Sequence, residues 1–191
     1  MVTMVTDTSA NAWIIDENAI YFPAIDAIDT GIANNLGTLS PSVPYGTVVR
    51  AKHATFGEGE FIYLQGVVGN FVGALVTYSP TTGVATLTTT SGAAIPLPVA
   101  VSMSASVLTT TFGWYQISGS AVVKKTATKI DPAAGKYPNV YLSATAGRVM
   151  PTSVAGRCVL GAGFASTTTV TTTTSTAVVT LNRPHQQGPI T

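Results

Sequence analysis

The feature that most constrains this chain is its punctuation. Short runs rich in Thr and Val are cut at close intervals by Ser40-Pro41, Val43-Pro44-Tyr45-Gly46, Phe56-Gly57-Glu58-Gly59, Ser79-Pro80-Thr81-Thr82-Gly83, Ser118-Gly119, Asp131-Pro132 and Gly135. Gly and Pro supply turn geometries, and β-branched residues favour a pleated backbone over a helix. The intervening segments predict strands over 47–52, 60–66, 72–78, 84–89, 96–103, 113–118, 120–126, 139–143, 157–165 and 176–182. Regular short strands between turns indicate an all-β domain, either a barrel or a sandwich. Past the N-terminal region no window of a dozen residues sustains the i, i+3, i+4, i+7 apolar pattern of a helix.

Both ends read differently from the middle. Asn11 to Asp29 carries Trp13, Ile14, Ile15, Ile20, Tyr21, Phe22, Ile25 and Ile28, interrupted by Pro23. Residues 1–35 are read as an extended or partly helical arm, with 36–182 as the β domain. Apolar residues on such an arm need a cover, which is either its own domain or a partner. Thr167 to Thr176 is a low-complexity tract, and Ala177, Val179 and Leu181 place one face of a closing strand inward. Residues 183–191 hold two prolines and are read as a flexible tail.

Composition narrows the function. Of 191 residues, 46% are hydrophobic and 9% charged, with a formal net charge of +1. The usual charged share is about 25%. Disorder throughout does not fit so apolar a chain. Sequence-independent nucleic-acid binding does not fit one without a basic surplus. No stretch approaches a membrane-spanning run of about 20 uninterrupted apolar residues. A surface clad in neutral hydroxyls desolvates at lower cost than an ionic one, which suits packing against copies of itself or a larger assembly.

Chemistry is sparse. Cys158 is the one cysteine, so no intramolecular disulfide forms, and its apolar neighbours mark it as a buried small hydrophobe. Metal-ligand spacing, P-loop, G-x-G-x-x-G and G-x-S-x-G patterns are all absent. No enzyme, metal or cofactor is therefore expected. One constellation has geometric content. If 47–52 and 58–64 pair antiparallel, Arg50 faces Glu60 and Lys52 faces Glu58 on one face, either as register-pinning ion pairs or as a carboxylate pair for acid–base or metal work. Trp114 and Tyr115 form the densest aromatic spot outside the arm. They join Trp13, Ile14, Ile15, Tyr21 and Phe22 as candidate contacts with a partner.

From Leu36 to Leu181 several blocks recur in a familiar order. Among them are Gly57-Glu58-Gly59-Glu60-Phe61-Ile62-Tyr63, Gly73-Ala74-Leu75-Val76-Thr77-Tyr78, Gly113-Trp114-Tyr115-Gln116-Ile117-Ser118-Gly119 and Val140-Tyr141-Leu142-Ser143-Ala144-Thr145-Ala146-Gly147. This set resembles the small head-decoration, or cement, proteins of tailed bacteriophages. The resemblance implies a small β-barrel or tulip-like domain, with a jelly-roll sandwich as the alternative. It implies a non-enzymatic virion protein, made in the host cytoplasm, that binds the outer capsid surface as a homo-oligomer and stabilises the shell against internal DNA pressure. Its partners would be the major capsid protein and itself, a trimer ahead of a dimer, with no nucleic acid and no membrane. Residues 1–35 would order on the capsid, so deleting residues 1–30 would leave the domain folded and weaken binding. A rival reading is a head-fibre or tail-appendage module that binds a host glycan or receptor.

Overall fold

A computed structural model describes residues 12–16, 22–33, 39–89, 96–131, 139–166 and 168–188. The described residues form strands and turns with no helix. The strands are β1 (Ile14–Ile15), β2 (Ile32–Ala33), β3 (Leu39–Ser40), β4 (Val48–His53), β5 (Gly57–Gln65), β6 (Leu75–Tyr78), β7 (Ala85–Leu87), β8 (Val99–Ser102), β9 (Phe112–Lys124), β10 (Asn139–Leu142), β11 (Val149–Met150), β12 (Cys158–Phe164) and β13 (Thr176–Gln186). β2 and β3 pair with each other. The rest form one antiparallel sheet in the order β1-β4-β5-β9-β13-β12-β10-β11, with β8 on β9, β6 on β8 and β7 on β6.

β9 is the trunk. The Ser118-Gly119 signal predicts a turn between two strands, but the structure runs one 13-residue strand through it. Gly119 takes φ +90° and pairs with Gly59 on one side and Leu181 on the other. The β5 ladder shifts register between Glu60 and Phe61, so the glycine serves a bulge, and a Cβ there would collide with the Glu58 carbonyl. The Gln116 amide brackets the bulge by donating to the Ser118 and Ser120 carbonyls, each at 3.0 Å.

Strand alternation divides the apolar residues into packed clusters. Phe61, Tyr63, Phe112 and Trp114 share one face of β5 and β9 with Ile25, Val43, Val49 and Ala51, and Trp13, Ile15, Phe22 and Met103 pack against them. Ile62, Leu64, Tyr115 and Ile117 point to the opposite face, under Val76, Ala85 and Ala100 of β6, β7 and β8. Both faces of β5 and β9 are thus covered, which is why Phe61-Ile62-Tyr63-Leu64 reads as a continuous apolar run. Beyond the bulge, Ala121 and Val123 turn inward with Ala177, Val179, Leu181, Val159, Phe164, Val140, Leu142 and Val149, while Val122 is exposed. This half curls until Val149 bridges back to Lys125, with Thr126 N donating to Val149 O at 3.0 Å. The contact is one bridge rather than a ladder, so no closed barrel forms among the described residues.

Two expected boundaries are corrected. Of the two covers left open for the arm, residues 22–33 take their own domain. Ile25 is buried in the core, Asp29 exchanges both backbone bonds with Phe112 (2.9 and 2.8 Å), and Trp114 Nε1 donates to Pro23 O at 2.9 Å. Residues 1–11 and 17–21, the latter including Tyr21, lie outside the described residues. At the other end β13 continues past 182 to Gln186, so Arg183 to Gln186 are sheet rather than tail. Pro184 lacks an N–H and is accommodated at a bulge. The ladder to β12 shifts between Leu160 and Ala162, and Arg183 and Gly161 adopt φ of 44° and 78°. Gln186 N then bonds Leu97 O, and Gln187 N bonds Cys158 O, both at 2.9 Å.

Candidate functional site

The aromatic candidates separate by burial. Trp114 and Tyr115 are 0% exposed, one on each face of β9, and so cannot contact a partner. The doubly covered trunk takes them both inside. The Tyr115 hydroxyl donates to Gln65 O at 3.1 Å, and burial raises its pKa. Trp13 is half-buried, with its ring centroid 4.7 Å from Phe61 and 5.1 Å from His53. Phe22 sits edge-on to Trp114 at 5.8 Å. Ile15 is half-buried against the same core, whereas Ile14 points outward and is 62% exposed.

β4 and β5 pair with Arg50 opposite Glu60 and Lys52 opposite Glu58. Arg50 Nε lies 3.4 Å from Glu60, and Lys52 Nζ lies 3.5 Å from Glu58. Two further partners are not visible in sequence: Asp16 beside β1 reaches Lys52 at 3.5 Å, and Arg183 of β13 reaches Glu60 at 3.1 Å. Asp16 and then Glu58 raise the Lys52 pKa. Each carboxylate is held by a cation on an exposed face, so the network fastens strand edges together.

Asp29 is a second polar anchor. Its carboxylate accepts from Gly31 N (2.7 Å), from Ser42 N (3.1 Å) and from the Tyr63 hydroxyl. Burial pushes its pKa up, but the Tyr63, Ser42 and Gly31 hydrogen bonds outweigh that and hold it below the ordinary value. Tyr63 is raised by burial and then by Asp29. Cys158 is half-buried in β12 rather than fully buried, with its thiol pKa raised by burial. His53 Nδ1 accepts from Thr55 N (3.0 Å) and Phe56 N (3.3 Å) in the β4–β5 turn. Among the described residues no three His, Cys, Asp or Glu converge to hold a metal. No helix there is long and apolar enough to cross a membrane.

The most distinctive chemistry lies where β9 ends. A cleft of about 450 Å³ is lined by Lys125, Thr126, Ala127, Thr145, Arg148 and residues 172–175. Lys125 is 1% exposed, and its ammonium donates to the carbonyls of Thr126 (3.0 Å), Thr128 (2.8 Å) and Thr171 (3.0 Å). Three donors meet three acceptors, so its hydrogen bonds are satisfied while its charge is not neutralised. Burial lowers its pKa. Arg148 Nη1 donates to Lys125 O at 3.2 Å, and its guanidinium lies 5.7 Å from the Phe71 ring centroid. No carboxylate among the described residues pairs with either cation. Sequence reasoning missed this site, although Ala121, Val123 and Lys125 share one inward parity that puts a cation where an apolar side chain is expected.

No family model, no curated protein and no solved structure matches the chain.

Proposed function

We propose that the protein is a non-enzymatic structural component of a virus particle. It binds the outer capsid surface in many copies, contacts the major capsid protein and other copies of itself, and stabilises the shell. The observation that carries this reading is the exterior, which combines few ions with exposed hydroxyls and apolar side chains on a β scaffold. Val68, Val107 and Leu108 are exposed at one end, where Val67 N to Ser106 O (3.0 Å) and Gly66 N to Thr111 O (2.7 Å) bind their loops together. Val72 is exposed on the same 66–74 segment. Neutral surface of this kind loses little on desolvation, and many weak contacts add through multivalency. The ordered likeness to phage head-decoration proteins supports the same reading. Because Trp114 and Tyr115 are buried, the proposed contact lies at this end of the molecule instead.

The test is co-sedimentation with purified empty shells. Val68→Asp combined with Leu108→Asp is expected to abolish decoration while leaving the thermal midpoint unchanged. Undiminished binding by that folded variant refutes the contact face. Failure of the unaltered protein to bind shells refutes the function.

A further inference from the structure

We infer that the Lys125–Arg148 cleft is a binding site for an acidic saccharide, a sugar carrying a carboxylate or a phosphate. The inference is independent of where the protein resides.

Charge is the first argument. In a chain with nine basic and eight acidic residues, two cations meet at one cleft whose described lining contains no acid. Asp131, the acid nearest Lys125 in the chain, is engaged by Lys129 at 2.7 Å and by the Thr169 hydroxyl at 3.4 Å. Carbonyl dipoles satisfy the Lys125 ammonium without cancelling its charge, so the cleft keeps a positive field. Arg148 spends one of its five N–H donors on Lys125 O and is braced over Phe71, which leaves its planar fork available to an oxyanion.

The walls supply the second argument. Thr126, Thr145, Thr172, Thr173, Thr174 and Ser175 line the cleft with Ala127, so its walls mix hydroxyls that both donate and accept with threonine and alanine methyl groups. A sugar, with hydroxyls at its edge and C–H faces between them, matches such mixed walls. The volume of about 450 Å³ lies within the range of small-molecule sites and exceeds what a bare oxyanion fills.

Preorganisation is the third. Through its three carbonyl contacts Lys125 ties the 126–128 turn to Thr171, where the opposite wall begins. The Thr171 hydroxyl in turn meets those of Thr173 (2.9 Å) and Thr174 (3.1 Å). Lys125 is thus a positioning residue, and Arg148 is the residue that meets the anion.

The experiment titrates the full chain, followed by amide chemical shifts, with glucuronate, glucose 6-phosphate, glucose and inorganic phosphate. At least one acidic sugar is expected to bind about tenfold or more tightly than both glucose and phosphate, shifting amides at 145–148 and 172–175, the scale of one charge-assisted hydrogen bond. Preference for glucuronate or for glucose 6-phosphate identifies the source of the anion. Arg148→Gln is expected to weaken that binding about tenfold or more. Thr173→Val with Thr174→Val, both at exposed positions, is expected to remove the preference for sugar over phosphate and keeps the test valid if the arginine variant fails to fold. Equal binding of glucose, equal binding of phosphate, shifts on another face, no binding at all, or unchanged affinity in a folded Arg148→Gln protein would each overturn the inference.

Discussion

Strand β9 crosses two environments, and the contrast between its halves separates what holds this protein together from what it offers to others. From Phe112 to Ile117 every side chain is buried, because the N-terminal segment covers one face and β6 to β8 the other. From Ala121 to Lys125 the strand alternates, with Ala121 and Val123 inside, Val122 outside, and Lys125 inside again beneath an open cleft. The first half is packing without chemistry. The second half keeps a buried cation and a hydroxyl-lined opening that packing alone does not require. A doubly covered strand is a frame, and a singly covered one leaves room for a site.

The largest effect is expected from cutting the frame's cover. Removing residues 1–30 takes away Ile25, Phe22, Trp13 and the Asp29–Phe112 pairing, so the truncated chain should lose its cooperative unfolding transition in urea. A cooperative transition of unchanged midpoint would show that these residues do not hold the frame together. Next, Trp114→Ala should cost about 3–5 kcal/mol, whereas Val122→Ala, a few residues along the same strand, should stay within about 0.5 kcal/mol. Equal effects in chemical denaturation would erase the difference between the halves. Lys125→Met should cost about 1–3 kcal/mol, because three carbonyls lose their donor. Hydrogen exchange should then speed up around 171–175 and not in β5.

A smaller effect separates the two polar anchors by pH. Asp29 has a depressed pKa, so its contribution is complete above the unfolded value of 3.8 and is lost as pH falls through the lower folded value. Asp29→Asn should flatten the acid limb of the stability profile. The Tyr63 contribution has the opposite sense: it is complete below 10.0 and declines as pH rises beyond it, so Tyr63→Phe should flatten the alkaline limb. Unchanged limbs would remove this pair from the frame. The smallest effect belongs to the exposed network, where Arg50→Gln should cost at most about 1 kcal/mol and less at high salt.

Much of the strand layout was legible because turns carry their own residues. The β4–β5 hairpin shows this best: Phe56-Gly57 marks the turn, and charges two apart mark the face of Arg50, Lys52, Glu58 and Glu60. Other features were illegible for physical reasons. Ser118-Gly119 reads alike whether the glycine serves a turn or a bulge. Pro184 looks like the end of a strand unless its bulge with Gly161 is known. Trp114 and Tyr115 are adjacent, so local alternation sends one of them outward, and only the tertiary cover from Ile25 and Val76 buries both. Trp13, Phe22 and Ile25 carry no period, since irregular backbone covers the sheet as effectively as a strand. At Lys125 the parity was present in sequence, but the three carbonyls that hold the ammonium come from Thr126, Thr128 and Thr171, the last of them 46 positions away.

Under the proposed function this ion-poor β protein adheres in many copies to a shell. The direct measurement is the number of copies bound per particle at saturation, by electron microscopy of decorated shells. A regular array in fixed stoichiometry with the coat subunits is the predicted result. A few copies confined to a vertex or tail would point instead to an adhesion module, and saturation with none bound would contradict the account outright.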